Sequence, residues 1–126
     1  MKGVLLDTHV LLWWLSDDPQ LPPPLRAAIA DPDTPCFVSA ASLWEIGIKR
    51  ELGKLEAPAI LAPIVAEQGF IGLAITLAHA ERAASLPPIH KDPFDRMRIA
   101  QGLAESLTIA TVDRRFADYG ASVLGA

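Results

Sequence analysis

The sequence predicts an α/β fold: a three-layer α/β/α arrangement around a mostly parallel sheet of four or five strands. Three observations carry that expectation. Short apolar runs recur along the chain, amphipathic segments of helical length separate them, and Pro, Gly and Asp mark the joints. Strands joined through helices pair in parallel with right-handed crossovers, and a strand buried on both faces reads as a continuous apolar run.

Gly3 to Leu6 is the first such run. Asp7-Thr8 then offers a helix N-cap for Val10 to Leu15, which Asp17-Asp18-Pro19 ends. Pro22-Pro23-Pro24 opens a helix through Ala30, and Asp31-Pro32-Asp33 is a turn. Pro35 to Ser39 reads as a second strand and Ala40 to Leu52 as a helix stopped by Gly53. Pro58 is expected to begin another helix ending near Gly69, before a third strand over Phe70 to Ile75. Thr76 caps a helix to about Leu86, and after Pro87-Pro88 a helix runs from Pro93 to Ser106. Leu107 to Val112 is the fourth strand, Asp113 to Phe116 a short helical turn, and Val123-Leu124 a fifth strand.

With 126 residues, 51% of them hydrophobic and 21% charged, the chain is expected to bury one core and form one domain over 1–126. No apolar run reaches the ~20 residues of a membrane-spanning helix, and Asp7 and His9 interrupt the nearest candidate, Val4 to Leu15. No small-residue cleavage site follows that segment, so a signal peptide is not expected. The single cysteine, Cys36, excludes an internal disulfide and a cysteine-built zinc site, and suits a reducing cytoplasm. A net charge of −4 argues against a general nucleic-acid coat. A phosphate substrate would need positive charge from elsewhere.

The acids suggest a source. Ligands of open parallel sheets bind beyond the carboxyl ends of the strands, and Asp7 and Asp113 each directly follow a predicted strand. Either is also a natural helix-turn cap. Asp95 lies in the first turn of its helix, where the dipole favours an acid. Glu45 sits mid-helix between apolar neighbours, where the plain alternative is an i,i+4 pair with Lys49. Brought together with no evident built-in cation for each, these carboxylates would repel and so would favour a bound metal. Oxygen ligands without cysteine select Mg²⁺ or Mn²⁺, ions suited to phosphoryl chemistry.

Seven of the 11 basic residues lie near these acids in the chain: Lys49, Arg50, Lys54, Arg96, Arg98, Arg114 and Arg115. They suggest a basic rim for a phosphate backbone, with a solvated helix surface as the alternative. His9, His79 and His90 lack metal-ligand spacing and read as structural or supporting. Of Trp13 and Trp14, which point about 100° apart on a helix, one is expected to remain for a partner.

Leu5-Leu6-Asp7-Thr8-His9-Val10-Leu11-Leu12-Trp13-Trp14 resembles the opening of a PIN-domain ribonuclease, in particular the VapC-type toxin of bacterial toxin–antitoxin pairs. Ser42-Leu43-Trp44-Glu45-Ile46, His90 to Met97, and Thr111-Val112-Asp113-Arg114-Arg115-Phe116 resemble the family's later motifs, in the right order. The resemblance implies an acidic metal site of Asp7, Glu45, Asp95 and Asp113, with Asp7 and Asp95 the nearest metal ligands and Thr111 orienting groups at a strand end. Asp92 suits a helix cap at least as well as a ligand. The resemblance also implies an RNA substrate, self-association as a homodimer, and inhibition by a VapB-type antitoxin; the apolar first helix with Trp13-Trp14 leads to the expectation that an amphipathic antitoxin segment packs nearby. Gly102 departs from the alanine expected there, at a cost to local stability.

A haloacid-dehalogenase-like phosphatase also places an aspartate after its first strand, but wants a second acid two residues on, where His9 stands. A receiver domain wants a late lysine, and none follows Lys91. A non-catalytic partner-binding module has no evident use for all four acids.

Overall fold

The computed structural model describes residues 2–126. Five strands, β1 (Val4–Leu6), β2 (Cys36–Ser39), β3 (Ile71–Leu73), β4 (Thr108–Ala110) and β5 (Val123–Leu124), form one sheet in the order β3-β2-β1-β4-β5. All four pairings are parallel, and Leu5 of β1 sits in register between Phe37 and Ile109. Between the strands run α1 (Thr8–Leu15), α2 (Pro23–Ala30), α3 (Ala40–Glu51), α4 (Ala62–Glu67), α5 (Leu77–Ser85) and α6 (Pro93–Glu105). A 3₁₀ turn over Arg114–Tyr119 joins β4 to β5. Among the described residues no helix is long and apolar enough to cross a membrane.

Side chains alternate across the sheet, and the core divides accordingly. Val4, Leu6, Val38 and Ala110 pack with Val10, Leu11, Leu25, Ile46 and Val65 of the first four helices. Ile109 packs instead with Ile99 of α6 and with Phe116. Full burial of β1 explains its unbroken apolar sequence.

Two expectations need correction. The helix expected from Pro58 begins at Ala62. A helix starting at Pro58 would set the Pro63 ring against the carbonyl of residue 59, so Pro63 is confined to the first turn. Trp13 and Trp14 are both half-buried against the core, and Trp14 Nε1 donates to Gln68 Oε1 at 3.0 Å. The tryptophan left to solvent is Trp44, 65% exposed.

The strand order reverses between β1 and β4, because β2 and β3 lie on one side of that pair and β5 on the other. The crevice of an open α/β sheet opens at such a reversal. Asp7 leaves the carboxyl end of β1 there, and Thr111 and Asp113 leave that of β4.

Candidate active site

Local rules place each acid. Asp7 is the N-cap of α1, its Oδ1 accepting the Thr8 N–H at 2.8 Å. The Thr111 hydroxyl donates to Asp7 Oδ2 at 2.6 Å and accepts the Asp113 N–H at 3.0 Å, which ties the two strand ends together. Glu45 lies on the inward stripe of α3, with Ala41, Ser42 and Ile46. Asp92 caps α6, accepting the N–H groups of Phe94 and Asp95, and so sets the turn that carries Asp95. Asp113 caps the 3₁₀ turn through the Arg115 N–H.

Three of these acids meet on one buried guanidinium. Arg98, 1% exposed, pairs with Asp7 Oδ1 at 3.1 Å, with Glu45 Oε1 at 2.9 Å, and with Asp95 one helical turn before it. Its Nη1 also donates to the hydroxyls of Thr8 at 2.8 Å and Ser42 at 3.2 Å. The expectation that the acids lack a built-in cation therefore does not hold, and Arg98 lies beneath the site rather than on a basic rim. Its spacing three residues after Asp95 on one helix face was the available signal. Glu45 accepts from Lys49 Nζ at 2.6 Å as well, so the i,i+4 pair and the inward acid are both present.

Asp113 joins the group through His90. The Asp92 N–H donates to His90 Nδ1 at 3.2 Å, which leaves the ring proton on Nε2. Nε2 lies 2.9 Å from Asp95 Oδ2 and 3.0 Å from Asp113 Oδ2, so His90 acts as a proton donor clamping two carboxylates. Its backbone N–H donates to the Tyr119 hydroxyl at 2.6 Å, and its ring packs edge-on against Phe116. No local pattern announced this role.

The electrostatics differ from acid to acid. Burial pushes the Glu45 carboxyl up, but the Arg98 charge and the hydrogen bonds from Lys49, Thr8 and Arg98 together hold it below the ordinary range. Asp95 goes the other way: burial, joined by the charges of Asp7 and Asp92, raises it despite Arg98. Hydrogen bonds from Arg115 are the chief cause that lowers Asp113 to about 2. Burial alone would lower the Arg98 pKa, but the charges of Asp7, Asp95 and Glu45 raise it, so the guanidinium stays charged. The rise at Asp95 is chiefly the cost of burying its carboxyl, to which the charges of Asp7 and Asp92 add. Ligand atoms of His90, Asp95 and Asp113 lie within 4.8 Å of one another, and the hard oxygen donors of the cluster fit a divalent ion of the Mg²⁺ or Mn²⁺ kind.

The other basic residues divide. Arg96 is committed to backbone carbonyls of Ala83, Leu86, Pro87 and His90 at 2.7–3.1 Å, and holds the loop that presents His90. Arg50 pairs with Glu51 and donates to the Pro58 carbonyl. Arg114, Arg115 and Lys54 are exposed, with Arg115 against Asp113 at 2.8 Å.

The sequence model of the PIN-domain family matches residues 4–122. The chain belongs to the PIN-domain family. Solved structures share the fold of this PIN domain at low identity. FitAcB from Neisseria gonorrhoeae is 22% identical, covers 96% of each chain and superposes with a TM-score of 0.62. A toxin–antitoxin complex from Klebsiella pneumoniae is 16% identical over 98% of each chain, with a TM-score of 0.63. VapBC2 from Rickettsia felis, bound to a DNA fragment from its promoter, is 12% identical over 96% of each chain, with a TM-score of 0.67. Comparison with curated protein sequences finds no match to this PIN domain.

Proposed function

We propose that this PIN domain is a divalent-metal-dependent endoribonuclease, the toxin of a type II toxin–antitoxin pair, acting in the cytoplasm. The observation that carries the reading is the convergence of Asp7, Glu45 and Asp95 on one guanidinium at the β1/β4 crevice, with Asp113 linked in through His90. Membership of a family whose members are generally nucleases supports it, as do structural neighbours that are toxin–antitoxin complexes.

Asp7 and Asp95 would hold the ion, with Asp113 beside them. A bound Mg²⁺ or Mn²⁺ supplies the Lewis acidity that activates water and offsets charge on a phosphodiester. Thr111 fixes the Asp7 carboxylate in orientation, and His90 keeps Asp95 and Asp113 within reach of each other. Exposed Arg114 and Arg115 offer the phosphate backbone contacts at the mouth. The partners on this reading are RNA, a VapB-type antitoxin that silences the site, and a second copy of the chain.

Cleavage of a mixed cellular RNA pool tests it. Wild type with Mg²⁺ should cleave, while wild type in chelator and Asp7→Asn with Mg²⁺ should not. Full activity in either of the last two would overturn the reading.

A further inference from the structure

Among the described residues Trp44 is the only tryptophan, tyrosine or phenylalanine left in solvent. It stands one residue before Glu45 on α3. Its ring meets that of Phe94, one residue before Asp95 on α6, at 82° with centroids 5.3 Å apart. The two helices are therefore joined twice, on the inside by Glu45 on Arg98 at 2.9 Å and on the outside by this aromatic pair. The indole is held upright at the rim of the acid cluster.

A glycine lies beside it. Gly47 falls in the interior of α3, where glycine is less favourable than alanine. A Cβ built there would meet nothing within 4 Å, so no contact inside the protein calls for the glycine. Helical side chains lean back over the preceding turn, so any side chain at position 47 would lie against Trp44. Its absence leaves a groove of about 480 Å³ whose walls include Trp44, Ile48 and Leu52.

Charge indicates what fits there. On α3 the cations are committed, Lys49 to Glu45 and Arg50 to Glu51. Arg114, exposed after β4, pairs with no acid among the described residues. A strand that offers its phosphates to the β4 side thus meets on the α3 side a flat π-face without free charge, which suits an uncharged planar group. Ile48 and Leu52 continue the apolar stripe away from the acids.

We propose that Trp44, with the space left by Gly47, is a stacking platform for one unpaired base of the RNA strand beside the bond that is cut. The inference rests on the ribonuclease reading given above and adds the form of the substrate. A base stacks on an indole only once it is splayed out of a duplex, so the platform selects single-stranded segments. Every base has a π-face, so it reads strandedness rather than sequence. Trp44 on this view touches substrate and takes no part in the chemistry.

Tryptophan emission tests the proposal during titration with a short single-stranded RNA of mixed sequence, and with the same strand annealed to its complement. All proteins carry Asp7→Asn and are kept in Mg²⁺, so that the strand stays whole. The single strand should quench emission and the duplex should not. Adding Trp44→Leu should abolish the quench, because Trp13 and Trp14 lie against the core, and should weaken binding about tenfold. Trp44→Tyr keeps a ring and should bind nearly as well as the parent. Gly47→Leu, which fills the groove, should bind as weakly as Trp44→Leu while melting no lower than the parent. Binding without quenching, equal quenching by the duplex, or unchanged affinity in Trp44→Leu or Gly47→Leu would overturn the platform and leave the ribonuclease reading standing. So would a shift from dimer to monomer in Trp44→Leu, seen by sedimentation, with RNA affinity unchanged, since the indole would then belong to a contact between copies. Binding of neither RNA by any of these proteins would overturn both.

Discussion

Gly102 lies in the interior of α6, where glycine ordinarily costs about 1 kcal/mol relative to alanine. The structure explains its presence. A Cβ built at this position would meet Ile109 Cδ1 and Cγ1 at 2.8 Å, so the missing side chain lets α6 settle on β4. Gly102→Ala should therefore destabilise the protein by roughly 1–3 kcal/mol by overpacking, despite the better helix propensity. Urea denaturation of Gly102→Ala and of Gly102→Ala/Ile109→Val measures this. The second substitution removes a methyl from the contact and should recover part of the loss. A stabilised single variant would show that the contact yields freely.

Helix α6 organises the site because its first two turns carry Asp95 and Arg98 on one side and its N-cap, Asp92, fixes where those turns begin. The Asp92 carboxylate accepts two N–H groups, and Pro93 follows at the first helical position, where its missing N–H costs nothing. Asp92→Ala should lower stability by about 1 kcal/mol, and Asp92→Asn by much less, because the amide oxygen still caps. Calorimetric melting in chelator separates the two. Equal losses in both variants would mean that the charge of Asp92, rather than its capping oxygen, is what α6 requires.

At the scale of the whole molecule the acids act on stability with opposite signs. Asp95 has a raised folded-state pKa, so its ionised form is penalised at neutral pH, and the penalty fades as pH falls through that pKa toward the unfolded value. Asp113 has a lowered one, about 2 against 3.8, so its contribution is complete above 3.8 and lost as pH falls toward 2. Glu45 is also lowered, and its contribution likewise disappears in acid. In chelator at pH 7, Asp95→Asn should melt above wild type and Asp113→Asn below it. Both should gain less than wild type from Mg²⁺, since each loses a charge that attracts the ion. Scanning calorimetry of the three proteins with and without Mg²⁺ decides, and matching signs in chelator would contradict this distribution of charge.

The order of strands and helices, the capping roles of Asp7, Thr76 and Asp113, and the emergence of Asp7 and Asp113 at strand ends were legible in the sequence. Each depends on neighbours within a few residues, through apolar periodicity, turn chemistry or an orphaned helix N–H, and such forces act wherever the segment lies. The later start of α4 belongs to the same class, since the position of Pro63 already forbade the earlier one. The rest required the chain to close on itself. Arg98 bonds Glu45 across 53 residues and Thr8 across 90, His90 reaches Asp113 across 23, and Gly102 answers to Ile109 on another element. A basic residue on a helix looks the same in sequence whether its face meets water or a buried carboxylate. Only the packing of α3 and α6 over the β1/β4 crevice took Arg98 out of water, and desolvation together with three carboxylates made a surface-type residue the fixed cation of the site.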